Sequence, residues 1–233
     1  MKARYFKGLF TSHAMRFISM EKVSDDYILV RMQAPYPIVW EAGQHGAFTL
    51  PDKKFKGRFY RAFSLASAPE EDAFLIGTRT GTSPSGFKKT LMEMQEGDTI
   101  KLRGPFGWFV VKDETSPIVM LALGVGITPM RSLLLALKDE TSRPIHLIHS
   151  AKDFHLFADE FKGLQLKNKE INLTFVSNRD EFKEALTAVA STYGSSAYYY
   201  VSGPFDAIRS TRTLLKSLKV KGKRIIYDPF FGY

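Results

Sequence analysis

The chain of 233 residues contains no cysteine. That excludes disulfides, thiolate-held zinc and cysteine-ligated iron-sulfur clusters within it, and leaves its compartment open. There is no run of about 18 apolar residues, so no membrane-spanning helix is expected. Residues 1–10 are basic with scattered aromatics but have no apolar core segment or small-residue cleavage site. A secretory leader is therefore not expected, and a cytoplasmic location is. The five histidines, His13, His45, His146, His149 and His155, show no HExxH or comparable spacing, so no metal site is expected. His146 and His149 close an apolar strand-like run and read as packed or surface side chains. Acid is the scarcer charge, with 24 Asp and Glu against 33 Lys and Arg, net +9. Such a balance suits nucleic acid, an anionic membrane surface or an acidic protein. The bases fall in small clusters at 53–58, 88–89 and 216–224, with no zinc finger, RNP aromatic motif or helix-turn-helix. Nucleic-acid binding is thus not expected, whereas docking of an acidic protein is compatible with the charge.

A hydrophobic content of 44% can bury a sizeable core, and the length suits two domains of roughly 100 to 120 residues. Runs at 27–32, 46–50, 73–79 and 99–102 are short, alternating or β-branched, and bounded by Pro, Gly and Asp turns, which predicts an antiparallel barrel or sandwich. One helix over 86–94 interrupts them. After the charged segment 112–117 the pattern changes. A continuous apolar strand at 118–123, helical periodicity over 129–138 and a strand at 145–149 form a βαβ unit. Strands at 173–176 and 198–202 then alternate with helices over 182–190 and 205–218, as in a parallel sheet covered on both faces. The expected division is 1–113 and 117–233.

Gly124-Val125-Gly126-Ile127-Thr128-Pro129 directly follows the buried strand and opens a helix. Two glycines permit a tight turn and close approach to a ligand, the helix start offers free N–H groups to a pyrophosphate, and Pro129 suits a first helical turn. The third glycine of a GxGxxG fingerprint is absent, so a plain strand-to-helix turn is the other reading.

The first half adds Arg61-Ala62-Phe63-Ser64-Leu65-Ala66-Ser67, then Ser85-Gly86-Phe87, Gly97-Asp98 and Gly104-Pro105-Phe106-Gly107. With Gly124 to Pro129, Ser202-Gly203-Pro204 and the aromatic tail from Tyr227 to Tyr233, this series resembles the ferredoxin-NADP reductase family, in its single-chain bacterial form without a fused iron-sulfur domain. The resemblance runs over essentially the whole chain. It implies an antiparallel β-barrel that holds FAD, an α/β domain that holds NADPH or NADH, and catalysis in a cleft between them.

By that resemblance Arg61 takes a flavin phosphate through its fork of donors, and Phe63, where the family usually has Tyr, offers a planar face to the isoalloxazine. Ser64 lies near flavin N5. Ser85, Gly86 and Phe87 begin the helix that receives the pyrophosphate, which favours FAD over FMN, and Thr78 and Arg79 are further flavin contacts. Gly124, Gly126, Thr128 and Pro129 take the nicotinamide dinucleotide. Ser177 and Arg179 stand where relatives that prefer NADPH bind its 2'-phosphate, and Lys152 is a basic residue near the nucleotide. Ser202, in place of the family's Cys, borders the nicotinamide beside Gly203 and Pro204. Asp228 lies near the flavin, and Phe230, Phe231 and Tyr233 are candidates to cover its ring. Ser64, Ser202 and Asp228 would position and polarise rather than act as nucleophiles.

The implied activity is hydride transfer from NADPH, or NADH, to FAD. Electrons then pass to an acidic electron-carrier protein such as ferredoxin or flavodoxin, or to a small acceptor. Two other classes stay open: a non-catalytic flavin or nucleotide sensor, and a basic nucleic-acid-binding protein.

Overall fold

The computed structural model describes residues 3–228 and shows two compact units that divide between Val110 and Val111. The segment 112–117, read from sequence as the boundary, goes with the second unit for a local reason. Asp113 accepts the Thr115 and Ser116 N–H groups and faces Arg143 at 3.6 Å and Arg224 at 3.7 Å.

The first unit opens with a 3-10 segment, Ala3–Phe10, and carries β1 (Ser12–Lys22), β2 (Tyr27–Gln33), β3 (His45–Thr49), β4 (Tyr60–Ser64), β5 (Phe74–Arg79), α1 (Gly86–Met92) and β6 (Thr99–Phe106). Its strands run in the order β4-β3-β6-β1-β2-β5, every pairing antiparallel. The stretch after β4 reaches β5 through Ala66 N–H to the Leu75 carbonyl (2.7 Å) and Leu75 N–H to Ser67 Oγ (3.0 Å), which nearly closes the sheet into a barrel. Alternation fills it: His13, Met15 and Phe17 of β1 turn inward while their neighbours face out. Met32, Phe48, Phe63, Phe87 and Leu102 belong to the same core.

The second unit carries β7 (Ile118–Leu123), α2 (Ile127–Ala136), β8 (Ile145–Ser150), α3 (Ala158–Lys167), β9 (Ile171–Val176), α4 (Arg179–Tyr193), β10 (Tyr198–Ser202), α5 (Phe205–Ser217) and β11 (Ile225–Tyr227). The sheet order is β11-β10-β7-β8-β9, all parallel. Strand β7 is apolar on both faces and nearly inaccessible from Ile118 to Ala122, as helices on both sides of a parallel sheet require. From β7 the chain winds one way through β8 and β9, then crosses to the other side of β7 for β10. The carboxyl ends of β7 and β10 therefore lie side by side at a topological switch point, where open α/β sheets hold ligands. No helix among the described residues is long and apolar enough to cross a membrane.

Candidate functional site

The candidate residues gather at two places, one in each unit. In the first unit they lie where β4, β5 and α1 meet. Arg61 is half-buried and donates from Nη1 to the Tyr60 carbonyl at 3.1 Å. Arg79 is exposed and already engaged: its Nε donates to Asp26 Oδ2 at 2.5 Å, and its guanidinium lies 5.6 Å over the Tyr27 ring. Lys88 of α1 donates to the Arg79 carbonyl at 2.6 Å. Partial burial, then the Arg61 charge, holds the Lys88 ammonium below its usual range. Partial burial works against the Asp26 carboxylate, yet the Gly81 N–H and Arg79 together outweigh it and keep that group below its usual range. Lys88 thus lies within the fields of both Arg61 and Arg79, a cationic grouping suited to an anion. Ser85 caps α1, its hydroxyl accepting from Lys88 N–H at 3.5 Å.

Several expected flavin contacts are instead used by the barrel. Phe63 is 6% exposed, with its ring centre 5.7 Å from Phe48 and 6.1 Å from Phe87. This corrects the expectation of an open stacking face, because the ring packs against Phe48 and Phe87 in the barrel core. Thr78 is buried, and its hydroxyl turns to the Arg79 carbonyl at 3.4 Å. Phe87 is a core side chain, and the space a side chain at Gly86 would need is taken by the Lys56 carbonyl. Ser64 is buried at the end of β4.

In the second unit the candidates converge on the switch point. Gly124 has φ +56°, a left-handed conformation that favours glycine. Gly126 is pressed against β10: a Cβ there would lie inside van der Waals contact of the Ser202 carbonyl and 2.6 Å from Gly203 N. Gly203 meets Leu123 in the same close approach. Ser202 is fully buried, and its Oγ has no hydrogen-bond partner among the described residues. Asp228 follows β11, is buried, and donates its N–H to the Val201 carbonyl at 3.0 Å. The pairing of Val201 with Tyr227 therefore brings Asp228 to the same end of the sheet as Ser202. Thr128 and Pro129 are buried at the start of α2, with the Thr128 hydroxyl donating to the Val125 carbonyl at 3.1 Å. Pro204 is exposed and caps α5. Tyr233, Phe230 and Phe231 lie outside the described residues.

Lys152 is exposed on the connection from β8 to α3. At the β9–α4 turn Ser177, Asn178 and Arg179 are exposed, and Asn178 Oδ1 accepts from Asp180 and Glu181 N–H, both at 3.0 Å. Glu181 reaches back: its carboxylate accepts the Ser177 N–H at 2.8 Å and the Ser177 hydroxyl at 3.2 Å. Those donors, the N–H first, hold its pKa below the usual carboxylate range. The Ser177 hydroxyl read from sequence as a phosphate ligand is therefore already bonded to a carboxylate.

Sequence reading passed over Lys88, Glu181 and His149. Lys88 carried only the signal of a basic pair, Glu181 that of an ordinary first-turn acid, and the six-residue spacing from His149 to His155 matches no motif.

Residues 120–212 match the oxidoreductase NAD-binding domain. A flavohemoprotein of Rhizobium meliloti is 27% identical, the alignment covering 92% of this chain and 60% of that protein. The chain spans about half the length of the curated relatives it matches. Among solved structures, a ferredoxin NADP+ reductase from Neisseria gonorrhoeae with bound FAD and NADP superposes with TM-score 0.76 at 18% identity, covering 94% of this chain and 99% of that one. The Amycolatopsis cytochrome P450 reductase gives TM-score 0.78 at 18% identity, over 94% and 69%. At such identities the structural likeness concerns the fold.

Proposed function

We propose that the chain, whose residues 120–212 match the oxidoreductase NAD-binding domain, is a flavoprotein related to ferredoxin-NADP reductase: an FAD-dependent oxidoreductase that takes hydride from NADH or NADPH and passes electrons to a separate acceptor. The observation that carries this reading is the β7–β10 switch point, where a glycine turn meets a buried Ser202 hydroxyl that has no partner among the described residues. A buried donor left unmade costs about 1–3 kcal/mol, and a polar group of a nicotinamide would satisfy it. In the first unit the Arg61 and Lys88 charges beside the Ser85 cap fit a pyrophosphate. When bound, FAD supplies the acceptor for hydride and the means of releasing electrons one at a time. The chain's own residues bind and orient: Arg61 and Lys88 neutralise phosphate, the 124–126 turn offers backbone N–H groups, and Ser202 and Asp228 present polar groups at one sheet end.

The test is anaerobic. Protein reconstituted with FAD should lose its yellow colour when NADH or NADPH is added; a chain that takes up no flavin, or whose flavin neither dinucleotide bleaches, refutes the proposal.

Choice between the dinucleotides is assigned to the β9–α4 turn. Arg179 favours a 2'-phosphate, while Glu181 on Ser177 opposes it and suits a ribose hydroxyl. Arg179→Ala should raise KM for NADPH about 10-fold, the loss of one charge-assisted contact, with a smaller change for NADH. Glu181→Gln should raise kcat/KM for NADPH relative to NADH. Equal effects on both substrates would remove the 2'-position from this turn.

An acidic electron carrier is the acceptor class best supported. On the outer face of the barrel, Lys54, Lys101 and Arg103 line a groove of about 880 Å³ with Phe59 and Tyr60, which are 71% and 42% exposed. Cations beside exposed aromatics suit a carboxylate-bearing protein surface.

A further inference from the structure

His149 is fully buried at the end of β8, its ring held between two partners. Nε2 lies 3.1 Å from the Gly124 carbonyl oxygen, and Nδ1 lies 3.3 Å from Nδ1 of His155. A carbonyl only accepts, so Nε2 of His149 carries the hydrogen; its Nδ1 is then a lone pair, and the second bond requires hydrogen on His155 Nδ1. One arrangement of protons satisfies both contacts. Burial first, then the neighbouring His155, pushes the His149 pKa down to about 4. Burial, then the Lys162 charge, also lowers that of His155. The pair is therefore neutral near pH 7. The His149 and His155 rings meet edge-on at 4.9 Å, and Phe175 of β9 packs against His155 at 5.1 Å.

The Gly124 oxygen also accepts from Ile127 N–H, so both of its lone pairs are used and the plane of the Gly124–Val125 peptide is fixed. In a trans peptide the N–H points away from the preceding C=O. Holding the Gly124 carbonyl on His149 thereby sets the direction of the Val125 N–H on the glycine turn. We propose that His149 and His155 are positioning residues for the nicotinamide dinucleotide: as a hydrogen-bonded pair they hold the Gly124 peptide in the orientation that offers the turn's N–H groups to the pyrophosphate. This rests on the reading that the turn binds that dinucleotide.

The experiment compares His149→Gln, which keeps a donor for Gly124 and an acceptor for His155, with His149→Leu, which keeps neither, and with His155→Ala at the more exposed position. Calorimetric affinities for NAD+ and NADP+ are measured alongside kcat and KM for NADH and NADPH on FAD-loaded protein. His149→Leu should raise KM and the dissociation constant about 10-fold, the worth of one buried hydrogen bond, with kcat changed less than about twofold. His149→Gln should recover most of the loss, and His155→Ala should fall between. Wild-type affinity in both His149→Leu and His155→Ala, or a Gln variant no better than Leu, reduces the pair to packing and overturns the proposal. If the Leu variant does not fold, His155→Ala decides. A wild-type protein that binds neither dinucleotide overturns the proposed function and this inference together; normal wild-type binding with unaffected variants overturns only the inference.

Discussion

Arg61→Ala is expected to weaken FAD binding about 10- to 100-fold, the range set by roughly 1.5–3 kcal/mol for hydrogen bonds to a charged group and 1.4 kcal/mol per factor of ten. The size follows from how the three neighbouring cations are occupied. Arg79 is tied to Asp26 and lies over Tyr27, and Lys88 spends a donor on the Arg79 carbonyl. Arg61 holds the Tyr60 carbonyl through Nη1, and a guanidinium has five donors, so its fork can still meet a phosphate. Removing it also lifts part of the pressure on the Lys88 ammonium, which Arg61 depresses, and that relief limits the loss. Arg61→Lys keeps the charge without the fork and should fall between the two; Arg79→Ala should matter less than Arg61→Ala. Titration of apoprotein with FAD, followed by flavin fluorescence at two salt concentrations, measures all three. An Arg61→Ala protein with wild-type affinity would remove the phosphate role.

The second unit was the more legible from sequence because its signals are local. Strand β7 appears at the predicted bounds, since six successive apolar residues have no other reading once a glycine turn follows. Strand β10 does as well. Strand β1 was missed because its inward positions are His13, Met15 and Phe17, and a histidine in the alternation hides a strand that is plain once the barrel surrounds it. Helix α3 was missed for a different reason: Gly163 sits in its middle, Phe157 before it has φ +66°, and only Phe161 is buried along it, so neither caps nor periodicity announced it. At the site, residue types and order were legible, but which side chain each environment had already claimed was not. Phe63 packs into the barrel core, and the Ser177 hydroxyl turns to Glu181. Both outcomes depend on neighbours distant in sequence or on one turn of helix capping. The His149 to Gly124 bond likewise joins β8 to the turn after β7, 25 residues away in sequence.

Gly126→Ala should be strongly damaging at the dinucleotide turn. The added Cβ would press into the Ser202 carbonyl and come within 2.6 Å of Gly203 N. Those atoms are backbone of Ser202, which ends β10, and of Gly203 after it, so no flexible side chain can swing aside. Overpacking of this kind costs about 1–3 kcal/mol, and relief requires the ends of β7 and β10 to part. That movement would carry the glycine turn away from Ser202, and a displacement near 1 Å at such a site costs on the order of 100-fold in rate. Gly163→Ala is the control: its Cβ meets nothing within 4 Å, and alanine in a helix interior gains about 0.5–1 kcal/mol over glycine. The expected pattern is a Gly126→Ala protein with a lower melting temperature, a normal affinity for FAD, and kcat/KM for NADH or NADPH down about 100-fold. Gly163→Ala should melt at or above wild type with unchanged kinetics. Were Gly126→Ala to keep wild-type kcat/KM, the turn would be a structural corner and the dinucleotide would have to bind elsewhere.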